Sequence, residues 1–241
     1  MGSMLHARET GEGPRLLLFH GAAAPEVGWE AQEELSERFR LIIPWRRGYG
    51  DSPPADKQDF EADAEDILER LDTHSAHAAA YSYGAVGLLV AASKRPNMFQ
   101  SLTLIEPPVF HLAAGDPSVQ ELMGQLGELM QRGPGDPPPQ LEEFVRLGKL
   151  AAERGFPPPP AMRPPNEAEF DFDAISDHEG CPVLVVSGDH HPGFERVCDA
   201  LAERLDGERA VVPGWGHAPQ RAEGFNERFE QFLTRSSAPL A

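Results

Sequence analysis

Short apolar runs alternate with stretches of helical apolar spacing along most of the chain, and that alternation narrows the fold more than any other feature. A run that is apolar at nearly every position has no polar face to give to water. It must be buried on both sides, as strands of a parallel sheet are when helices cover both faces. Leu16 to Phe19, Leu41 to Ile43, Ala76 to Ala80, Leu102 to Ile105, Val183 to Val186 and Ala210 to Val212 are such runs, each bounded by glycine, proline or charge. Met4 to Arg8 adds an expected antiparallel edge strand. Between the runs, Ala31 to Phe39, Asp59 to Leu71, Ala85 to Lys94, Phe194 to Leu205 and Ala222 to Thr234 carry the apolar spacing of amphipathic helices. The predicted fold is α/β, a mostly parallel, doubly wound sheet.

One stretch breaks the rhythm. Between Ile105 and Val183 lie two helical patterns, Ser118 to Gln131 and Leu141 to Glu153, set off by proline-rich segments, Gly133 to Pro139 and Phe156 to Pro165. A crossover needs only a dozen or so residues, so this stretch is too long to be one. It predicts an inserted helical cap over residues 107–177, with stiff proline spacers, on a core of residues 1–106 and 178–241. A chain of 241 residues buries roughly 70% or more of its unfolded surface and needs no staple. Lys and Arg total 21 against 39 Asp and Glu, a formal charge of −18 that repels phosphate backbones and anionic lipid. Nucleic acid and membranes are therefore not expected partners. Two cysteines, Cys181 and Cys198, are too few for a disulfide framework and fit a reducing cytoplasm. Met1, Gly2 and Ser3 look like a cloning remnant before Met4, and no secretory pattern follows, so a cytoplasmic protein is expected.

The chemistry concentrates at three places. Ala80, Tyr81, Ser82, Tyr83, Gly84, Ala85 follow an apolar strand and open a helix, the context of a nucleophile elbow; small residues two positions either side of the serine keep the two backbones from colliding. Ser82 is the expected nucleophile, although Ala80 stands where glycine is commoner. Gly214 to Pro219 place His217 just past the last strand, where an imidazole with a pKa near neutral can take the serine proton and return it to a leaving group. His20, Gly21 and Ala22 end the first long strand. There the N–H of Ala22, with that of Tyr83, would form an oxyanion hole, one donor of which is worth about 10² to 10³ in rate. His20 itself is expected to hold the loop.

These residues, together with the run Arg47, Gly48, Tyr49, Gly50, Asp51, Ser52, resemble the α/β-hydrolase superfamily over nearly the whole chain outside the cap. Tyr83 with Gly84, and Glu106 with Pro107 and Pro108, make the likeness nearest to small bacterial serine hydrolases related to the haloalkane dehalogenase branch. The resemblance implies that Arg47 to Ser52 is a structural loop. It leaves two candidates for the acid that orients the histidine. Asp189 follows Gly188 after the Val183 to Val186 strand, but the superfamily's usual acid stands three residues after that glycine, where this chain has His191. Glu106 ends the Leu102 to Ile105 strand, from which related dehalogenases take their acid, and a glutamate at the end of a buried strand needs a reason to be there. Glu106 is favoured and Asp189 kept as the alternative. His190 and His191 resemble half a metal site without a carboxylate or cysteine at ligand spacing, so neither a metal nor another cofactor is expected.

A serine nucleophile implies an acyl-enzyme and hence an ester, thioester, lactone, amide or activated ketone. It excludes the alkyl-enzyme chemistry of dehalogenases and epoxide hydrolases, which need an aspartate at the elbow. The expected partner is an apolar small molecule held between sheet and cap by Val109, Phe110, Leu122, Met123 and Leu126. A homodimer, perhydrolase activity, a lyase or cyclase reaction and a ligand-binding protein on the same scaffold stay open. Trp29, Trp45 and Trp215 fit core or site equally well.

Overall fold

The computed structural model describes residues 4–132, 137–156, 160–178 and 181–236. The remnant read at Met1 to Ser3 and parts of both proline spacers, 133–136 and 157–159, lie outside the described residues. The strands are β1 (Ala7–Thr10), β2 (Arg15–Phe19), β3 (Arg40–Pro44), β4 (Lys57–Gln58), β5 (Ala76–Tyr81), β6 (Phe99–Ile105), β7 (Ala161–Met162), β8 (Val183–Ser187) and β9 (Glu208–Val211). The helices are α1 (Pro25–Gly28), α2 (Phe60–Leu71), α3 (Tyr83–Lys94), α4 (Pro117–Arg132), α5 (Glu142–Glu153), α6 (Phe172–Ser176), α7 (Pro192–Arg204) and α8 (Phe225–Ser236).

Among the described residues seven strands form one sheet in the order β1, β3, β2, β5, β6, β8, β9. Neighbours are parallel except β1, which pairs antiparallel with β3 from Ala7 opposite Pro44 to Thr10 opposite Leu41. The edge strand thus starts later than the Met4 to Arg8 expectation, and Met4 is exposed. Strand alternation sorts the apolar runs onto two faces. Leu16, Leu18, Leu41, Ile43, Leu184 and Val186 meet Phe225, Phe229 and Phe232 of α8 on one face; Leu17, Phe19, Ile42 and Val185 meet α2, α3 and α7 on the other. Each such side chain, fully buried, contributes about 1.5–3 kcal/mol. The double cover explains why the strands read as continuous apolar runs. Cys181 and Cys198 are free and buried. No helix among the described residues is long and apolar enough to cross a membrane.

Two departures have local causes. The helix expected over Ala31 to Phe39 is instead a 3₁₀ run, Glu30–Glu37, whose buried residues Gln32 and Leu35 stand three apart. That spacing is the repeat of the tighter helix, and Gln32 is tied by its amide to the Gln220 carbonyl at 2.6 Å and Asn226 Oδ1 at 2.7 Å. Strand β9, expected over Ala210 to Val212, begins at Glu208 and leaves Val211 exposed, because it is the sheet edge with one neighbour. Between β6 and β8, α4 lies against α7 through Leu122 and Phe194, joined by Leu141 from the 3₁₀ turn before α5, while α5 reaches α1 and the loop after β9 through Leu147, Val27 and Ala218. Both helices therefore pack near the carboxyl ends of the strands.

Candidate active site

A parallel sheet brings the carboxyl ends of its strands to one edge, where ligands bind in open α/β folds. Ser82 follows β5, Glu106 follows β6, Gly188 to His190 follow β8, and His217 lies in the loop after β9. Ser82 sits at φ +52° and ψ −133°, backbone that a side chain rarely adopts; such strain costs of order 1–3 kcal/mol and persists only where the surroundings enforce it. They do so here. The Ser82 N–H donates to the Ile105 carbonyl at 2.8 Å, and α3 passes so close to β2 that a Cβ on Gly84 would lie 2.3 Å from the His20 carbonyl oxygen. Glycine at position 84 lets the turn form. Glu106 also lies at positive φ, +48°, fixed between its own N–H bond to the Val186 carbonyl and the prolines that follow.

The separate strand ends converge. His217 Nε2 lies 2.9 Å from Ser82 Oγ, and His217 Nδ1 lies 3.4 Å from Glu106 Oε2. With its proton on Nδ1 facing the carboxylate, the imidazole leaves Nε2 bare to accept from the serine hydroxyl. Ser82 is half-buried; His217 is 3% exposed and Glu106 fully buried. Phe144 of α5 and Phe194 of α7 lie against the His217 ring, with centroids at 4.9 and 5.0 Å. Burial lowers the His217 pKa below the ordinary histidine value despite the opposing pull of Glu106. Burial would push the Glu106 carboxyl up, but its hydrogen bonds from His190 and His217 prevail and hold it at about 2. Its other oxygen accepts the Gly188 N–H at 2.7 Å.

Asp189 is exposed at φ +54°, and its N–H donates to Glu195 Oε1 at 3.0 Å. The carboxylate beside His217 belongs to Glu106. His191 caps α7, accepting the Gly193 N–H at 2.9 Å. His190 stands 3.0 Å from Glu106 Oε2, a contact that spacing along the chain did not reveal. Glu106, His190 and His217 thus bring one carboxylate oxygen and two ring nitrogens within 4.8 Å of one another. These atoms are already linked to one another by hydrogen bonds.

The loop bearing Ala22 is held from below. Fully buried Arg46 donates to both oxygens of Asp63, at 3.0 and 2.6 Å, and to the Gly21 carbonyl at 3.1 Å; its N–H donates to His20 Nε2 at 2.8 Å. His20 Nδ1 faces the Gly21 and Ala23 carbonyls at 2.9 Å each, and burial holds its pKa at about 3, so it is neutral. Tyr49 donates to the Ala22 carbonyl at 2.8 Å, and Arg47 pairs with Asp66 at 2.6 Å. Arg46 and Asp63, which the motif reading passed over, are the charged pair of this framework. Tyr83 is the first residue of α3, where an N–H has no carbonyl a turn before it; its ring is buried, and its single O–H is shared between the Arg163 carbonyl at 2.9 Å and the Gln58 carbonyl at 3.2 Å.

Of the five expected lining residues, Phe110, Leu122 and Leu126 gather around Phe194, which itself touches His217. Val109 is buried in the main core, and Met123 is 47% exposed. Met123 therefore faces solvent and is set apart from the others, because consecutive helix residues point about 100° apart. Trp29 packs against Tyr81 in the core; Trp45 donates to Glu26 Oε1 at 2.8 Å; Trp215, two residues before His217, has the Arg146 and Arg221 guanidinium groups at 3.7 and 4.8 Å from its ring centre.

Comparison with known proteins agrees with this fold. Residues 14–153 match the family model described as the alpha/beta hydrolase fold. An epoxide hydrolase of Caballeronia sordidicola is 32% identical over 52% of this chain and 40% of its own length. A 2-(acetamidomethylene)succinate hydrolase of Mesorhizobium japonicum is 32% identical over 42% of this chain and 38% of its own. The chain thus spans about two fifths of the length of these two curated relatives. Among solved structures, Est816, described as an N-acyl homoserine lactone degrading enzyme, superposes with a TM-score of 0.69 over 95% of this chain and 96% of its own, at 21% identity.

Proposed function

The chain belongs to the alpha/beta hydrolase fold family, and from that premise we propose that it is a serine hydrolase acting on an ester, thioester or lactone of an apolar small molecule. The observation that carries the proposal is the 2.9 Å approach of His217 Nε2 to Ser82 Oγ, with Glu106 at the other ring nitrogen. Ser82 Oγ attacks the carbonyl carbon as His217 takes its proton; the buried Glu106 carboxylate stabilises the imidazolium. The N–H groups of Ala22 and Tyr83 receive the oxyanion. His217 then protonates the leaving group, which departs and leaves an acyl group on Ser82, and a water activated by the same imidazole releases the acid. Residues 107–177 act as a cap, whose Phe110, Leu122 and Leu126 form with Phe194 the apolar wall near His217. A serine at the elbow sets the chain apart from an epoxide-opening enzyme that alkylates a carboxylate, and it suits the lactone chemistry named for Est816.

The test is a panel of nitrophenyl esters, thioesters and lactones run on wild type beside Ser82→Ala. Turnover of at least one class should fall by about 10³-fold or more in the variant, the usual consequence of losing a triad nucleophile. Equal turnover by both proteins would overturn the assignment.

A further inference from the structure

The proposal here rests on the triad reading above and concerns a fourth residue. Both ring nitrogens of His190 face acceptors: Nδ1 lies 2.8 Å from the Gln140 carbonyl in the turn Pro139–Leu141, and Nε2 lies 3.0 Å from Glu106 Oε2. A neutral imidazole has one N–H and satisfies one of these oxygens; an imidazolium satisfies both. The side chain is 5% exposed, so water offers little alternative. The oxygen it touches is the same one that faces His217 Nδ1, and it lies nearer to His190, 3.0 against 3.4 Å. We infer that His190 is a positioning residue, held as an imidazolium between Glu106 and Gln140, which shares the carboxylate with His217 and so makes His217 a weaker base.

The surroundings favour that charge distribution. From α7, the Phe194 ring lies 4.9 Å from His190, the Glu195 carboxylate adds a negative field that is partly neutralised by Arg209 at 2.6 Å, and Cys198 is a buried thiol. The neighbouring His191 accepts from Gly193 and stays neutral more readily than an ordinary histidine, first because of its burial. The His217 ring stands 5.8 Å away, and its other neighbours, Phe144 and Phe194, carry no charge. Burial opposes charge on both His190 and His217. For His190 the Glu106 bond and charge, with the Gln140 carbonyl, outweigh it and raise the pKa; for His217 they do not, and the nearby His190 lowers it further. His190 thus holds its proton to higher pH than His217 does. During acyl transfer the new imidazolium at 217 must form beside an existing one, which favours its giving the proton up again.

The experiment is a ¹⁵N titration of the histidine rings in the resting protein, with the pH profile of nitrophenyl acetate hydrolysis beside it, on wild type, His190→Gln and His191→Gln. Glutamine keeps a donor toward Glu106 and removes the charge. In wild type, His190 should remain doubly protonated at pH values where His217 is already neutral. In His190→Gln the His217 midpoint, and the acid limb of kcat/KM with it, should rise by about one to two pH units as a like charge roughly 6 Å away is removed. His191→Gln should leave both in place. A His190 that loses its proton at or below the pH at which His217 does overturns the inference without any variant, and so does an unmoved His217 midpoint in a folded His190→Gln. Failure of the triad reading shows separately, as ester turnover that survives Ser82→Ala whatever the histidines do.

Discussion

Replacing Glu106 by glutamine changes one oxygen to an amide nitrogen, and the surrounding bonds dictate which. The Gly188 N–H, 2.7 Å from Oε1, needs an acceptor, so the amide oxygen takes that place and the NH₂ group takes the Oε2 position that faces His217 and His190. A donor now points at His217 Nδ1. The ring answers by moving its proton to Nε2, toward Ser82, and in that tautomer it cannot accept the serine proton. The stabilising charge for the imidazolium disappears at the same time. Loss of tautomer and charge together in Ser-His-acid systems costs about 10⁴ in kcat, which is about 5 kcal/mol of transition-state stabilisation. His190 tolerates the change, since its Nδ1–H still reaches Gln140 and its Nε2 can accept from the new amide. The fold should therefore survive, as a circular dichroism melt would show. Hydrolysis of a nitrophenyl ester by Glu106→Gln should fall by about 10⁴, while Asp189→Asn, altering an exposed side chain, should stay within a few-fold of wild type. The reverse ranking, or a Glu106→Gln enzyme within tenfold of wild type, would refute the reasoning.

Three further outcomes follow from the framework. Asp63→Asn leaves the fully buried Arg46 guanidinium without its counter-charge and should cost about 3–5 kcal/mol in urea unfolding; a loss under about 1 kcal/mol would show that the pair does not hold the Ala22 loop. His20 and His77, held by burial at about 3 and about 4, bind protons more readily unfolded than folded. The stability they supply is present in full above pH 6.5 and drains away as pH falls toward 3, at up to about 1.4 kcal/mol per pH unit for each. Unfolding midpoints that stay level from pH 7 to 4.5 would contradict this. Leu122→Ala empties a fully buried site and should cost about 2–5 kcal/mol, whereas Met123→Ala should change thermal stability by under about 0.5 kcal/mol; equal losses would contradict the helix orientation.

The parts of the fold that local pattern can carry were legible before any coordinates. Leu16 to Phe19 and Val183 to Val186 are apolar on both faces because helices cover both. Ser82 and His217 were legible because each sits where a strand ends and a helix pattern follows, so sequence position translated directly into place on the sheet edge. Glu106 could be argued from the cost of a buried carboxylate, yet only coordinates show that two histidines divide one of its oxygens. His190 carries no signal of that contact in the sequence: its partners stand 84 and 50 residues away, and a two-histidine run without ligands at metal spacing points to no chemistry by itself. The Arg46 and Asp63 pair was hidden for the same reason, a loop and a helix 17 residues apart meeting inside the core. Apolarity alone cannot tell Leu122 from Met123 as a wall residue; the turn of α4 decides between them.

If Ser82 is the nucleophile, the imidazole beside it must activate its hydroxyl. A fluorophosphonate reports this directly, since it phosphonylates an activated serine and spares ordinary hydroxyls. Peptide mass mapping should find one adduct, on Ser82, absent from Ser82→Ala and formed far more slowly in His217→Asn. An unlabelled protein, or an adduct carried by a different residue, would contradict the account.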